Sequence, residues 1–335
     1  LISINRKKNI GFDESLTPFH FKKICNKIGF NIFNYENPCL YPKAKKNITE
    51  LKGAQNANLR DGVSVTKFIY WLKNIIIINE IDEIIAAEYL LKLRKENDLF
   101  YSPSFETISA LASNAAMPHY RVTKETNLRF FENAIYLFDS GGQYKDGTTD
   151  ITRTIILGSP SEEQMDRYTR VLKGHIAIAK VSFSLNTKGS DLDYIARESL
   201  HEINCDYDHG TGHGIGSFLS VHEGPQRIAK SQGQSDGFIQ EGMILSNEPG
   251  FYKKGEYGIR LENLIICNLN KDDTLFFKTI SWAPFDRDLI DIKLLNNSEI
   301  NWLNHYHNKV YEKISPNLNF KEKVWLKKAT SALIA

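Results

Sequence analysis

Two β-rich runs on either side of a glycine-marked turn constrain this chain more than any other feature. Residues 134–138 (A-I-Y-L-F) are apolar throughout and are stopped by Asp139-Ser140-Gly141-Gly142. Residues 148–157 then return rich in β-branched side chains, and the two runs read as an antiparallel pair. Glu241-Gly242 precedes a further short strand at 243–246. Residues 257–267 (Y-G-I-R-L-E-N-L-I-I-C) have the alternation and β-branching of one continuous sheet strand.

Helical spacing surrounds these strands. From Asn47 onward Leu51, Ala54, Leu59, Val63, Ile69 and Leu72 fall near one face, and a second helix is expected over 81–95. Ser161-Glu162-Glu163-Gln164 is a capping box, in which the Ser hydroxyl accepts an orphan N–H and Gln164 reaches back. The helix it starts is expected to bury Met165, Tyr168, Val171 and Leu172. Ser190 is expected to cap the next helix, which carries Leu192, Ile195, Ala196 and Leu200. Helices with antiparallel strands give an α+β domain over 47–270. Residues 1–46 carry a predicted helix at 17–28 and then Pro38 and Pro42 as loop punctuation. Residues 271–335 read as a mostly helical extension, with Trp282, Trp302 and Trp325 as packing anchors.

Composition narrows the classes. In 335 residues the formal net charge is +2, which argues against a polyanion-binding protein, so no nucleic-acid partner is expected. The longest apolar stretch, 75–78, is far below the roughly 20 residues needed to span a bilayer, and no membrane partner is expected. The polar opening stretch around Arg6, Lys7 and Lys8 has no signal-peptide core. Leu1 stands where an initiator Met would, so the chain is expected to be part of a longer one. Cys25, Cys39, Cys205 and Cys267 show neither zinc-ribbon nor C-x-x-C spacing, so reduced thiols in a cytoplasmic globular protein are expected.

The chemistry sits at strand ends and glycine-rich turns. Asp139 ends one run and Asp150 lies on the returning one. With the turn centred on Tyr144-Lys145, the two carboxylates face each other across the ladder. They repel unless a cation lies between them, and oxygen ligands suit hard or borderline divalent ions. His209-Gly-Thr-Gly-His213-Gly-Ile-Gly lets a backbone pass close to a site, and it lacks the G-x-G-x-x-G spacing of a dinucleotide loop. His222-Glu-Gly-Pro follows. Glu248 stands directly after an apolar strand, and Glu262 lies within one. Singly, each also reads as ordinary structure: a turn Asp, an incidental loop His, a Glu on a solvent face. Together Asp139, Asp150, His213, Glu248 and Glu262 make four carboxylates and one imidazole, the inventory of a dinuclear site.

These blocks, D-S-G-G-Q-Y-K-D-G-T-T-D-I-T-R-T, H-G-T-G-H-G-I-G, H-E-G-P, N-E-P-G and G-I-R-L-E, resemble in order and spacing the catalytic domain of aminopeptidase P, the Xaa-Pro aminopeptidase branch of the pita-bread metallopeptidases. The likeness covers 47 to the end, and residues 1–46 resemble the tail of the family's second non-catalytic domain. It implies a pita-bread catalytic domain, with a curved antiparallel sheet and flanking helices, followed by a helical C-terminal extension. It also implies two divalent ions, manganese as usual in the family, with zinc or cobalt compatible. Asp139 would chelate one ion, Asp150 and Glu262 would bridge both, and His213 and Glu248 would hold the other. His119 (in N-A-A-M-P-H-Y), His209 and His222 would be catalytic and substrate-binding, Glu248 would also move the proton, and Arg260 would sit on the substrate side of the metals. Met117-Pro118 departs mildly from the family pattern. The implied activity is removal of the first residue from peptides with Pro second, by attack of a metal-bridging hydroxide, in a homodimer. The alternatives are a prolidase, a methionine aminopeptidase or a non-catalytic peptide-binding relative.

Overall fold

The computed structural model describes residues 9–74, 78–230 and 237–334. The polar opening stretch and 75–77 of the longest apolar run lie outside the described residues. The chain divides into two compact units, Leu1–Lys43 and Ala44–Ala335.

In the first unit β1 (Asn9–Phe12) pairs in parallel with β2 (Asn31–Asn34), and α1 (Phe19–Ile28) connects them. Helix α1 starts two residues later than expected because Pro18 takes the cap position. It ends on Gly29, whose φ of 91° suits glycine. Phe12, Cys25 and Phe30 make the small core.

A short α2 (Leu40–Ala44) leads into α3 (Ile48–Lys73). Asn47 caps α3 by accepting the N–H groups of Thr49 and Glu50, and Glu50 bonds back to Asn47. Ala54, Ile69 and Leu72 are buried as expected, whereas Leu51, Leu59 and Val63 are half-buried. Burial spreads to the polar Asn58, Asp61, Ser64 and Thr66, because sheet, helix and C-terminal segment all press on α3. Helix α4 (Glu83–Lys95) is capped by Asp82, and its Arg94 makes a buried two-pronged ion pair with Asp61 of α3.

The strands that follow are β3 (Phe100–Pro103), β4 (Ile108–Leu111), β5 (Ala134–Ser140), β6 (Gly142–Tyr144), β7 (Gly147–Thr148) and β8 (Ile151–Leu157). The expected pair is β5 with β8, antiparallel. Its register differs from the expectation: Asp139 pairs with Thr152, and Asp150 sits just before β8. The hairpin turns at Lys145-Asp146, one position later than assumed, which moves every pairing by two. Side-chain direction repeats every two residues, so Asp139 and Asp150 still share a face. On β5, Ala134, Tyr136 and Phe138 pack with Phe68, Leu72 and Leu90 of α3 and α4, while Ile135, Leu137 and Asp139 point the other way.

Helix α5 (Glu162–Lys180) opens on the expected Ser161–Gln164 capping box. Tyr168, Val171 and Leu172 are buried, but Met165, in the first turn, is only half-buried. After β9 (Ser182–Ser184), α6 (Ser190–His201) begins with Ser190 inside the helix and Gly189 at the cap, one residue earlier than expected. Gly189 lies so close to the Arg227 carbonyl that a Cβ there would collide with it. Gly174 similarly brings α5 onto the Ala196 carbonyl of α6. Gly174→Ala is therefore expected to lower stability by about 1–3 kcal/mol despite alanine's better helix propensity. An unchanged urea midpoint would contradict this.

The remaining strands are β10 (Gly212–His213), β11 (Arg227–Ile228), β12 (Ile244–Asn247), β13 (Gly250–Lys253), β14 (Tyr257–Arg260), β15 (Asn263–Leu269) and β16 (Thr274–Thr279). The single strand expected over 257–267 is two: β14 pairs with β13, β15 pairs with β12 and β16, and Leu261-Glu262 makes the step between them. Part of the expected helical extension, 274–279, is strand β16, inserted between β15 and β9. Helices α7 (Asn297–Ile314) and α8 (Phe320–Ala329) follow, and Trp282, Trp302 and Trp325 pack on the core as expected. Every ladder of the second unit is antiparallel among the described residues. All four cysteines are free thiols, and no described helix is long and apolar enough to cross a membrane.

Candidate active site

Strand ends and turns deliver the predicted residues to one place. Asp139 comes from the end of β5, Asp150 from the entry to β8, His213 from β10, Glu248 from the β12–β13 turn, and Glu262 from the step between β14 and β15. Ligand-type atoms of Asp150, His213 and Glu262 lie within 4.8 Å of one another. His213 Nε2 is 3.4 Å from Asp150 Oδ2 and 3.5 Å from Glu248 Oε1. Asp139 stands at the edge of this group, where its Oδ2 accepts a 2.7 Å bond from Arg260 Nη2.

A Glu within an apolar strand also fits a solvent face, but Glu262 is 1% exposed. Its Oε2 accepts from Thr152 Oγ1 at 2.8 Å, and its backbone N–H donates to the Thr152 carbonyl at 3.1 Å. The step in the strand is thus fixed from β8. Glu248 is held by a backbone N–H bond of 2.7 Å to the Thr211 carbonyl and by the Ser246 hydroxyl at 3.2 Å. That same hydroxyl accepts the His213 N–H at 2.9 Å, tying the two residues together.

Burial pushes the carboxyls of Asp150, Glu248 and Glu262 above the ordinary carboxylate range, and their mutual repulsion and that of Asp139 add to it. Asp139 Oδ1, Asp150 Oδ1 and Glu262 Oε1 are buried without a hydrogen-bond donor. Acceptor atoms left this way are costly unless a cation meets them. The five side chains form a set of oxygen and imidazole ligands able to hold divalent ions.

The other predicted residues line the cleft of about 610 Å³ that opens on this cluster. His209 Nε2 lies 2.8 Å from the Tyr252 hydroxyl, which accepts from Arg260 Nη1 at 2.7 Å, so a chain of polar contacts runs from His209 to Asp139. Burial first, and then the Arg260 charge, depress His209 to about 3, which keeps its ring neutral. The His222 ring packs edge-on to His213 at 4.3 Å, and its pKa is lowered by burial and by His213. His119 reaches the cleft from the turn after β4 and, like His222, is exposed. Tyr252, Thr152, Ser246 and the α6 pair Asp193 and Arg197 went unnoticed in the sequence. Only the last offered a signal, an acid and a base four residues apart on a helix.

The model of metallopeptidase family M24 matches residues 52–268, and that of the C-terminal region of peptidase M24 matches 273–333. "Probable Xaa-Pro aminopeptidase P" of Arthroderma otae is 42% identical over 314 residues, covering 90% of this chain and 50% of that protein. Xaa-Pro aminopeptidase 1 of Dictyostelium discoideum is 40% identical over 311 residues, with 89% and 49% covered. The crystal structure of X-prolyl aminopeptidase from Caenorhabditis elegans, described as a cytosolic enzyme with a di-nuclear active site, superposes with a TM-score of 0.85 at 36% identity, covering 90% of this chain and 51% of that one. The chain thus spans about half the length of the curated relatives it matches. The fold is the expected α+β pita-bread fold with a helical C-terminal region. With the catalytic and C-terminal models matched in succession, the chain belongs to metallopeptidase family M24.

Proposed function

We propose that this chain carries the catalytic part of an Xaa-Pro aminopeptidase that works with two divalent metal ions, manganese foremost, with zinc or cobalt compatible with the same ligands. The observation that carries the reading is the close meeting of Asp150, His213 and Glu262, with Glu248 beside His213 and Asp139 at the edge, and three buried carboxylate oxygens lacking donors. Residues 47–270 would form the catalytic domain, 271–335 its extension, and 1–46 the tail of a preceding domain. The full-length enzyme would be cytoplasmic and homodimeric. A di-nuclear centre in the nematode relative and the names of the curated relatives support the assignment.

Asp150 and Glu262 would bridge the ions, Asp139 would hold one, and His213 and Glu248 the other. When bound, such ions lower the pKa of a water and polarise a peptide carbonyl. Glu248 accepts the water's proton and delivers it to the departing proline nitrogen. His209, His222 and His119 line the cleft where the peptide lies. A donor to the developing oxyanion is typically worth about 2.7–4 kcal/mol. Arg260 fixes Asp139 and orients Tyr252. The bond cleaved is a tertiary amide without N–H, so this site needs no acceptor for it.

The test is a metal count per chain together with cleavage of Arg-Pro-Pro by the full-length protein. Two ions per chain and release of the first Arg are expected. No turnover with metal occupancy verified would reject the reading. Cleavage of dipeptides alone would point to a prolidase, and release of Met alone to a methionine aminopeptidase. Peptide binding without metal uptake would point to a non-catalytic relative.

A further inference from the structure

Helix α6 carries a buried ion pair, Asp193 with Arg197, and the Arg197 side chain also lines the cleft. Arg197 grips Asp193 with two bonds, Nε to Oδ2 at 2.7 Å and Nη2 to Oδ1 at 3.1 Å. Its remaining N–H groups leave the helix. Nη1 donates to the Tyr207 carbonyl at 2.5 Å and to Asp206 Oδ1 at 2.7 Å, and Nη2 donates to the His209 carbonyl at 2.8 Å. The guanidinium also lies 3.9 Å from the centre of the Tyr207 ring. Asp193 Oδ1 accepts from the Thr211 hydroxyl at 2.6 Å, and Thr211 Oγ1 is 2.5 Å from the Tyr207 hydroxyl.

The segment so held is irregular backbone from Asp206 to Thr211, between α6 and β10. Its carbonyls have no sheet partner of their own in a ladder, and one planar fork meets two of them. The His209 ring has its own constraints, Nδ1 at 2.8 Å from the Gly210 carbonyl and Nε2 at 2.8 Å from Tyr252. Both hold only while the backbone at 209 stays where Arg197 puts it.

We propose that Asp193 and Arg197 are a positioning pair for His209, fixing the backbone of 207–211 so that the imidazole meets the bound peptide. The proposal rests on the aminopeptidase reading for its substrate. Arg197 acts through His209, because its N–H groups are spent on Asp193, Asp206 and the carbonyls of Tyr207 and His209. Lysine at 197 keeps the charge but loses the fork that reaches Asp193 and two carbonyls together.

The experiment is a double-mutant cycle in the full-length, metal-loaded protein. Arg197→Lys is expected to lower kcat/KM on Arg-Pro-Pro by up to about 10²-fold, mostly in kcat, the scale of a small misplacement at a reactive centre. In a His209→Ala background the same change is expected to cost no more than about 2-fold, because the two residues act as one. Losses that multiply, or an Arg197→Lys enzyme with unchanged kcat/KM, would overturn the proposal. Thr211→Val, which keeps the shape and removes the hydroxyl link to Asp193, repeats the cycle should Arg197→Lys fold poorly. Amide hydrogen exchange in the metal-free protein gives an arm independent of activity. Faster exchange confined to 206–211 is expected, and a uniform rise through α5 and α6 would mean that the pair merely stabilises the fold. A variant that exchanges as expected beside a wild type that cleaves no X-Pro peptide would reject the aminopeptidase reading instead.

Discussion

Replacing Asp150 by asparagine is expected to act in opposite directions on the metal-free and metal-loaded protein. Asp150 is 4% exposed, and burial with the charges of Asp139 and Glu248 holds its carboxyl well above the usual range. A group whose folded pKa is raised opposes folding at pH values above its unfolded pKa, so its charge costs stability near neutrality. Asparagine keeps the shape and removes that charge, and the metal-free protein should melt slightly higher. The loaded protein should lose more than it gains. On the proposed reading it would lack a carboxylate that holds the metal ions, so the rise in Tm on adding a divalent ion should shrink with the fall in affinity. The loss in kcat/KM should exceed the roughly 10–100-fold typical of removing an outer partner of a metal ligand. Calorimetry with and without Mn2+, a metal count and kcat/KM on Arg-Pro-Pro together test all three. If Asp150→Asn kept both ions and full activity, the role given to Asp150 would be wrong.

Arg153→Met should be the most destabilising of the substitutions considered. The Arg153 guanidinium is fully buried on β8 and donates to the carbonyls of Thr152, Glu262, Ala283 and Pro284, to Asn263 Oδ1 and to the Tyr306 hydroxyl. Its plane also lies 4.4 Å from the Phe285 ring centre. It therefore ties the central sheet, the step bearing Glu262 and the C-terminal region into one network. Methionine fills much of the volume and satisfies none of the acceptors. Each buried acceptor left without a donor costs about 1–3 kcal/mol. Denaturant unfolding should show a lower midpoint, and metal affinity should fall with it because the 2.6 Å bond to the Glu262 carbonyl is lost. A midpoint within error of wild type would show that water replaces the guanidinium.

The candidate residues were legible because their types and spacing are unusual: carboxylates beside apolar strands and histidines among glycines have few structural explanations. The pairing of Asp139 with Asp150 was misjudged by a single position at the hairpin tip, yet their common face survived. The step at Glu262 was illegible. Two polar residues in succession, Glu262-Asn263, interrupt the alternation, but they do not show a change of partner strand, and the groups that fix the step, Thr152 and Arg153, are more than a hundred residues away in sequence. Strand β16 was overlooked because the turn before it, with Asp273 at φ 61°, looked like the polar start of an extension. Ser190 was read as a cap on composition alone, whereas the approach of Gly189 to the Arg227 carbonyl sets where α6 starts. The grip of Arg197 on 207–211 needed three dimensions, since an acid and a base one turn apart are common on exposed helices.

The β5–β8 hairpin also limits how relatives can differ in length. A one-residue slip of the β5–β8 pairing would turn Asp150 toward α3 and α4 and away from Asp139, so residues gained between Gly142 and Thr149 have to be taken up by the turn and not by the ladder. Insertions at Lys145-Asp146 should therefore be tolerated far better than insertions within β5 or β8, which would reverse the faces of every residue beyond them.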